Sequence, residues 1–150
     1  MEVLWFTIAV SIAAAVLLSG YRSERFGIGA VPRTSTALLL LGGGLALRWW
    51  AIGTLGRLFT VNVAVFEDHH LVANGPYRFV RHPSYTGMLL AFLGLGVFFG
   101  SWLSLAALIV PIGLASAYRI HVEEAMLFKA FGGNYSAYCA RTKRLVPGVF

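Results

Sequence analysis

The residues that could do chemistry in this chain lie in two polar stretches between long apolar segments. The first stretch runs from residue 69 to residue 85 and contains three histidines, two arginines and two tyrosines. The second runs from Arg119 to Glu124 and contains one arginine, one histidine and two glutamates. Ionisable residues are costly beside a bilayer, so both stretches are candidates for a functional site.

The spacing of these residues disfavours two common kinds of site. Metal ligands on a helix would need His-x-x-x-His or Glu-x-x-His spacing, which neither stretch contains, and Pro83 interrupts any helix through His82. A hydrolytic serine would need a Gly-x-Ser-x-Gly turn, and Ser84 follows a proline without one. We therefore expect no metal and no covalent enzyme intermediate.

The composition of the chain is that of a membrane protein. Hydrophobic residues make up 58% and charged residues 12% of its 150 residues, whereas a soluble domain has about 45–50% and about 25%. Length predicts one domain over 1–150, with an N-terminal helical pair in 1–55 and a catalytic region in 56–150.

The net charge of +6 is spread between apolar blocks, which favours contact with membrane lipids and argues against nucleic acid. The single cysteine excludes an intrachain disulfide.

Four apolar blocks approach the length of about 20 helical residues that crosses a bilayer. They cover about residues 3–18, 37–55, 85–102 and 103–118. The last two are separated only by Gly100–Trp102, which predicts a tight helical hairpin, and Pro111 is expected to kink its second arm. From Arg119 onwards, polar and apolar residues alternate at helical spacing, which predicts a C-terminal amphipathic cap whose first helix ends at Gly132 and Gly133.

Small residues and tryptophans suggest how these helices are placed. The run 42–44 is three glycines, and Gly96 and Gly100 are four residues apart, so both sets predict close helix packing. Arg48 precedes Trp49 and Trp50, a pattern typical of an arginine that reaches out to the membrane interface.

The distribution of basic residues predicts the orientation in the membrane. With four transmembrane helices, eight basic residues fall on one side and three on the other: Arg57, Arg78, Arg81, Arg119, Lys129, Arg141, Lys143 and Arg144, against Arg22, Arg25 and Arg33. The side richer in Lys and Arg is cytoplasmic by the positive-inside rule. We expect an all-α integral membrane protein of a prokaryotic cytoplasmic membrane, with its polar segments facing the cytoplasm.

Three motifs follow one another in the second half of the chain. They are the run Gly75-Pro76-Tyr77-Arg78-x-x-Arg81-His82-Pro83-x-Tyr85-x-Gly87, the pattern Arg119-x-x-x-Glu123-Glu124, and Phe131-Gly132-x-x-Tyr135-x-x-Tyr138. In this order they resemble the isoprenylcysteine carboxyl methyltransferase family, and phospholipid N-methyltransferases are similar in the same region. The resemblance covers about residues 57–147 and implies a membrane enzyme that transfers a methyl group from S-adenosyl-L-methionine to a lipophilic acceptor.

The resemblance also implies which positions bind the cofactor and the acceptor. The family's cofactor contacts fall on His69, His70, Leu71, Val72, Tyr77, His82, Pro83, Ser84, Tyr85 and Glu123. Its substrate arginine falls on Arg119, which becomes the predicted catalytic and substrate-binding residue. Asn62 stands where eukaryotic members have glutamine, and it is left out of the predicted site.

The chemistry of Glu123 and Arg119 suits these roles. A carboxylate can pair with the α-ammonium of the cofactor, and a guanidinium can bind a carboxylate or phosphate through two hydrogen bonds. Tyr77 and Tyr85 can pack on an adenine ring. The spacing of Arg119 and Glu123 also fits an ordinary helical ion pair, worth about 0.3–0.5 kcal/mol.

Several nearby residues have structural interpretations as well. We expect Glu124 to face solvent or pair with a neighbouring cation, although it could serve as a base for an amine or thiol acceptor. Arg78 is interpreted as a lipid-phosphate or topology residue, and Tyr135 and Tyr138 as interfacial anchors. His82 could also serve only to satisfy a backbone carbonyl.

Two other functions remain open at this point. Steroid-reductase-like proteins have similarly arranged C-terminal regions, so a membrane reductase that uses NADPH is the first alternative. The second is a non-catalytic small membrane subunit whose helices bind a partner. The sequence leaves the oligomeric state open, because glycine-rich faces can pack within one chain or between two.

Overall fold

A computed structural model describes residues 2–20, 26–56 and 71–148 of the chain. These residues form four α-helices, with α1 at Glu2–Leu18, α2 at Ala30–Leu55, α3 at Pro83–Phe99 and α4 at Trp102–Arg141. A short 3-10 helix, Gly75–Arg78, precedes α3. An isolated parallel bridge joins Val80 and Lys143. The predicted all-α class is confirmed.

Two of the helices, α2 and α4, are long and apolar enough to cross a membrane. Helices α1 and α3 are also apolar but have 17 residues each. At about 1.5 Å per residue they span about 26 Å, slightly less than the hydrocarbon core of a bilayer. The predicted count of four crossings therefore stays a prediction.

Helices α2 and α3 pack with their backbones in close contact. A Cβ atom built on Gly87 would lie 2.5 Å from the carbonyl oxygen of Gly44, and one on Gly94 would lie 2.7 Å from the carbonyl oxygen of Ala37. Only glycine fits such approaches. The predicted packing role is confirmed for Gly44, whereas a Cβ atom built on Gly42 or Gly43 would meet no atom of the described residues within 4 Å.

The predicted hairpin between α3 and α4 is confirmed. Gly100 ends α3 with a left-handed backbone (φ 68°), and the Ser101 side chain accepts a hydrogen bond from the backbone N–H of Ser104 at the start of α4. Gly96 packs against Leu105, as expected of a small residue between helices. Gly100, in contrast, serves as the cap that lets the chain reverse.

Helix α1 joins this hairpin through a small apolar core. Ala15 of α1, Met88 of α3, and Leu108 and Ile112 of α4 are buried together. The Ser104 hydroxyl donates to the carbonyl oxygen of Ala15 at 2.8 Å and fixes the two helices in register.

Helix α4 bends at Gly132, and the expected kink at Pro111 stays a prediction. Pro111 lies inside the helix, and the residue whose backbone leaves the helical region is Gly132 (φ 50°, ψ −120°). Proline keeps a helical φ although it removes a donor, while a positive φ is readily adopted only by glycine. The amphipathic helix predicted to end at Gly132 therefore turns there and continues to Arg141.

Candidate functional site

Tyr85, Arg119 and Glu123 form one cluster between α3 and α4. The Tyr85 hydroxyl donates to Glu123 Oε1 at 2.6 Å, and Arg119 Nη2 lies 3.4 Å from the same oxygen. The side chains of Arg119 and Glu123 keep 18% and 22% of their surface exposed. A carboxylate, a guanidinium and a phenol therefore share one partly buried site. The ordinary helical ion pair between Arg119 and Glu123 is present as part of this cluster.

The first turn of α3 and its N-cap place four of the predicted site residues, which are His82, Pro83, Ser84 and Tyr85. Pro83 occupies the start of the helix, where its missing N–H costs nothing, and His82 is the N-cap residue. The backbone N–H of Tyr85 donates to the carbonyl oxygen of His82 at 3.0 Å. This turn holds the two rings 6.0 Å apart, both directed towards α4.

His82 is buried between the two neighbouring glutamates of α4. Its Nδ1 lies 3.8 Å from Glu123 Oε2 and its Nε2 lies 3.4 Å from Glu124 Oε1. The ring nitrogens thus face carboxylates, so the interpretation that His82 serves a backbone carbonyl is wrong.

Glu124 is the centre of a second cluster. Its side chain is 6% exposed, with Arg81 Nε at 2.9 Å and Arg144 Nη2 at 2.8 Å. Of the two expected surroundings, solvent or a neighbouring cation, the structure shows the cation pairing, because two arginines cover the carboxylate. The hydrogen bond to Glu124 raises the pKa of Arg144 above its ordinary value. A carboxylate held this way is a structural anchor and a poor proton acceptor.

The residues after α4 run beside the polar loop that leads into α3. We call residues 142–146 the C-terminal segment. The backbone N–H of Arg81 donates to the carbonyl oxygen of Lys143 at 2.7 Å, and that of His82 donates to the carbonyl oxygen of Arg144 at 3.0 Å. Thr86 Oγ1 donates to the carbonyl oxygen of Leu145 at 2.8 Å. The guanidinium of Arg81 also donates to the carbonyl oxygens of Cys139 and Thr142.

Tyr135 and Tyr138 lie inside the protein. They are 1% and 5% exposed, so the predicted role as interfacial anchors is wrong. The Tyr138 hydroxyl donates to the carbonyl oxygen of Tyr77 at 2.6 Å, because the helix after Gly132 packs against the 3-10 helix. Burial is the main cause that raises the pKa of Tyr77 above its ordinary value, with Tyr138 and Glu123 contributing. Tyr77 therefore stays a neutral phenol.

Ser84 faces α2. Arg48 Nη1 donates to the carbonyl oxygen of Ser84 at 3.2 Å and to its Oγ at 3.1 Å. The prediction that Arg48 reaches out to the membrane interface is wrong, since the first turn of α3 offers it two acceptors inside the bundle. Its neighbours Trp49 and Trp50 are exposed, as an interfacial position requires.

Two further predicted site residues lie in the loop before the 3-10 helix. Leu71 and Val72 are half-buried there. His69, His70 and the departure at Asn62 lie outside the described residues. Arg78 is exposed, with its guanidinium 4.5 Å from the centre of the Phe79 ring.

Comparison with known proteins gives consistent matches. The family model of the isoprenylcysteine carboxyl methyltransferase family matches residues 36–129. A protein-S-isoprenylcysteine O-methyltransferase A of Arabidopsis thaliana is 38% identical over 114 residues, which are 75% of this chain and 58% of the relative. A cobalt-zinc-cadmium resistance protein of Cupriavidus metallidurans is 32% identical over 141 residues, 93% of this chain and 61% of the relative.

A solved structure shares the fold. It is the eukaryotic intramembrane Ras methyltransferase isoprenylcysteine carboxyl methyltransferase without a monobody, and it matches with a TM-score of 0.78 and 25% sequence identity. The match covers 97% of this chain and 52% of that chain. The chain thus spans a little over half the length of the relatives and the structure it matches.

Proposed function

Because this chain belongs to the isoprenylcysteine carboxyl methyltransferase family, we propose that it transfers a methyl group from S-adenosyl-L-methionine to a lipophilic acceptor at the membrane. The acceptor is an isoprenylcysteine-like carboxylate or a similar lipid acid. The observation that carries this proposal is the cluster in which Glu123 Oε1 lies 2.6 Å from Tyr85 and 3.4 Å from Arg119. A carboxylate and a guanidinium side by side can hold a cationic donor and an anionic acceptor next to each other.

The polar groups of the site fit the proposed cofactor. Glu123 is accessible enough to accept a ligand and would hold the α-ammonium group through a charge-assisted hydrogen bond. Tyr77, Tyr85 and His82, together with the backbone at Leu71 and Val72, would contact its remaining surface. When bound, S-adenosyl-L-methionine supplies a methyl group activated by the neighbouring sulfonium. His82 and Tyr85 both contact the carboxylate of Glu123 and keep its orientation fixed.

Arg119 is proposed to hold the acceptor. Its guanidinium can bind a carboxylate with two hydrogen bonds, and Glu123 keeps it in place. A carboxylate is already ionised at neutral pH, so no general base is needed. The contribution of this chain is alignment, which can supply roughly 7–11 kcal/mol in favourable cases. The exposed side chains of Leu114 and Tyr118, which precede Arg119 on α4, are proposed to meet the apolar tail as it enters from the lipid.

The setting proposed for this reaction is a prokaryotic cytoplasmic membrane with the site on the cytoplasmic side. The excess of Lys and Arg in the polar segments supports this orientation. We further propose four crossings, with α1 and α3 as the short ones, and a single domain that covers the chain.

Cofactor binding is the direct test of the proposal. Equilibrium binding of S-adenosylhomocysteine should be measured on detergent-purified protein, with NADPH as the competing candidate. We expect wild type to bind S-adenosylhomocysteine, and Glu123→Gln to bind it about tenfold or more weakly because a charge-assisted hydrogen bond is lost. Arg141→Gln, which removes an exposed charge on the same helix, is the control and should bind as wild type does. Binding of NADPH alone would favour a reductase, and binding of neither would favour a non-catalytic subunit.

The role of Arg119 is tested with the acceptor. A farnesylated cysteine with a free carboxylate and its uncharged amide differ only at the group that Arg119 is proposed to bind. With labelled methyl donor, we expect base-labile label on the carboxylate and none on the amide. Arg119→Gln should lower turnover at least about tenfold while S-adenosylhomocysteine affinity changes little. Equal activity on both compounds would contradict the assignment.

A further inference from the structure

A cavity lies at the other end of the helical bundle, away from the proposed reaction. It opens where α2 begins, α3 ends and α4 begins, and its volume is about 230 Å³. Its walls are largely apolar and aromatic, and include Phe26, Pro32, Arg33, Val97, Trp102 and Leu105. The edge of this cavity is formed by Phe26 and Trp102, whose rings meet edge to face at 4.4 Å.

Among the described residues that line the cavity, Arg33 is the one that is ionisable. Its Nε is buried without a hydrogen-bond partner, and within the described ranges its guanidinium forms no ion pair. The side chain lies against the turn at Gly100, where a Cβ atom would be 3.0 Å from Arg33 Cζ. The residue as a whole is half-buried, so a ligand can reach the guanidinium, and a charge beside an apolar wall is stabilised by a partner of opposite charge.

The position along α2 places this cavity at the level of lipid headgroups. Arg33 precedes Arg48 by about 22 Å of helix at about 1.5 Å per residue. Arg48 is beside the exposed Trp49 and Trp50, and Trp102 is the exposed tryptophan at the Arg33 end. Tryptophans at both ends of a bundle are typical of the two membrane interfaces. The cavity is therefore at the membrane face opposite the methyl-transfer site.

We propose that this cavity binds a phospholipid of that leaflet. The phosphate accepts hydrogen bonds from the guanidinium of Arg33, which forms bidentate contacts with phosphate oxygens. The first part of an acyl chain lies against Val97, Trp102 and Leu105. A phospholipid is chemically complementary to this cavity. Its phosphate matches the single cation, and its hydrocarbon chain matches the apolar wall. This site is separate from the proposed methyl transfer and does not depend on it.

Lipid titration followed by native mass spectrometry tests the proposal on the full chain in detergent. The probes are phosphatidylglycerol and diacylglycerol with identical acyl chains, so that only the phosphate-containing headgroup differs. We expect wild type to bind phosphatidylglycerol about tenfold more tightly, in keeping with a charge-assisted pair of hydrogen bonds. Arg33→Gln should remove this preference and Arg33→Lys should keep part of it. Arg141→Gln removes an equal charge at the other end and should keep all of it.

A second variant blocks the apolar part of the cavity without touching the cation. Val97→Phe should weaken the binding of both lipids, and its helical circular dichroism shows whether the bundle is intact. Equal binding of phosphatidylglycerol by wild type and Arg33→Gln would overturn the proposal. Displacement of the lipid by inorganic phosphate at matching concentration would also overturn it, since the cavity would then be a site for the free anion. S-adenosylhomocysteine binding should be the same in all four variants, which separates this result from the proposed methyl transfer.

Discussion

Two adjacent carboxylates, Glu123 and Glu124, have different surroundings and different consequences for the protein. Successive residues of an α-helix point about 100° apart, so one faces the first turn of α3 and the other faces the C-terminal segment. Glu123 contacts Tyr85 and Arg119 and stays partly accessible, while Glu124 is enclosed by Arg81 and Arg144. The accessible carboxylate is suited to binding, and the enclosed one to holding two chain segments together.

The first prediction separates these two roles by stability. Glu124→Gln leaves two arginines beside a neutral, buried amide, which should lower the free energy of unfolding by about 3 kcal/mol. Glu123→Gln changes a partly exposed group and should lower it by less than about 1 kcal/mol. Thermal unfolding in detergent, followed by circular dichroism, measures both. A loss of stability at Glu123 as large as at Glu124 would contradict the distinction.

The difference between the two glutamates could not be predicted from the sequence. Glu124 is bound by Arg81, 43 residues earlier, and by Arg144, 20 residues later, and local spacing contains no information on such pairs. The pairing of Arg119 with Glu123 was foreseeable because four residues on a helix bring them together. The cofactor roles came from the resemblance to a family and stay predictions here.

At the scale of elements, the contact between α2 and α3 determines where the site residues stand. Gly44 and Gly87 let the backbones touch, and Arg48 can then donate to the carbonyl and hydroxyl oxygens of Ser84. Ser84 immediately precedes Tyr85 in the first turn of α3. A change in helix separation would therefore move the tyrosine that contacts Glu123.

The second prediction tests this contact with a matched pair of substitutions. In Gly87→Ala, the new methyl group would lie 2.5 Å from the carbonyl oxygen of Gly44 and 2.7 Å from the backbone nitrogen of Arg48, so the helices must separate. We expect a loss of about 1–3 kcal/mol of stability and weaker S-adenosylhomocysteine binding. Gly42→Ala, which has nothing within 4 Å, should leave both unchanged or raise stability slightly. Similar effects of the two substitutions in thermal unfolding would show that α2 and α3 are not in close contact.

The helices were the most predictable elements. Apolar blocks of sufficient length correctly located all four, and Gly100-Ser101 marked the hairpin. The helix boundaries were predicted less accurately. The second apolar block begins at about residue 37, whereas α2 begins at Ala30, because a proline such as Pro32 is tolerated in the first helical turn. The inward direction of Arg48 was missed because the same sequence pattern fits an arginine at the interface, and only the position of Ser84 decides between them.

At the scale of the whole molecule, the polar end of the bundle is closed by chain segments distant in sequence. The 3-10 helix, the first turn of α3 and the end of α4 meet there, and the C-terminal segment binds the loop between the first two. The apolar core of Ala15, Met88, Leu108 and Ile112 lies elsewhere and includes no residue of that segment. The segment can therefore be removed without taking away a part of this core.

The third prediction uses this separation between core and polar end. Removing residues 142–150 deletes four backbone acceptors, at Thr142, Lys143, Arg144 and Leu145, and the side chain of Arg144 that pairs with Glu124. The loop that contains His82 then loses its support, and S-adenosylhomocysteine should bind about tenfold or more weakly. The α-helical circular dichroism should change only by the removed residues, because the core stays intact.

A shorter deletion provides the control for this prediction. Removing residues 147–150 keeps Lys143, Arg144 and the carbonyl oxygen of Leu145 that accepts from Thr86. This variant should bind S-adenosylhomocysteine as the full chain does, measured by the same equilibrium titration. If the longer deletion also binds with full affinity, the loop is held by Glu124 and Arg81 alone. If both deletions lose binding equally, the residues after the C-terminal segment support the site and the hydrogen bonds at residues 143–145 do not decide the affinity.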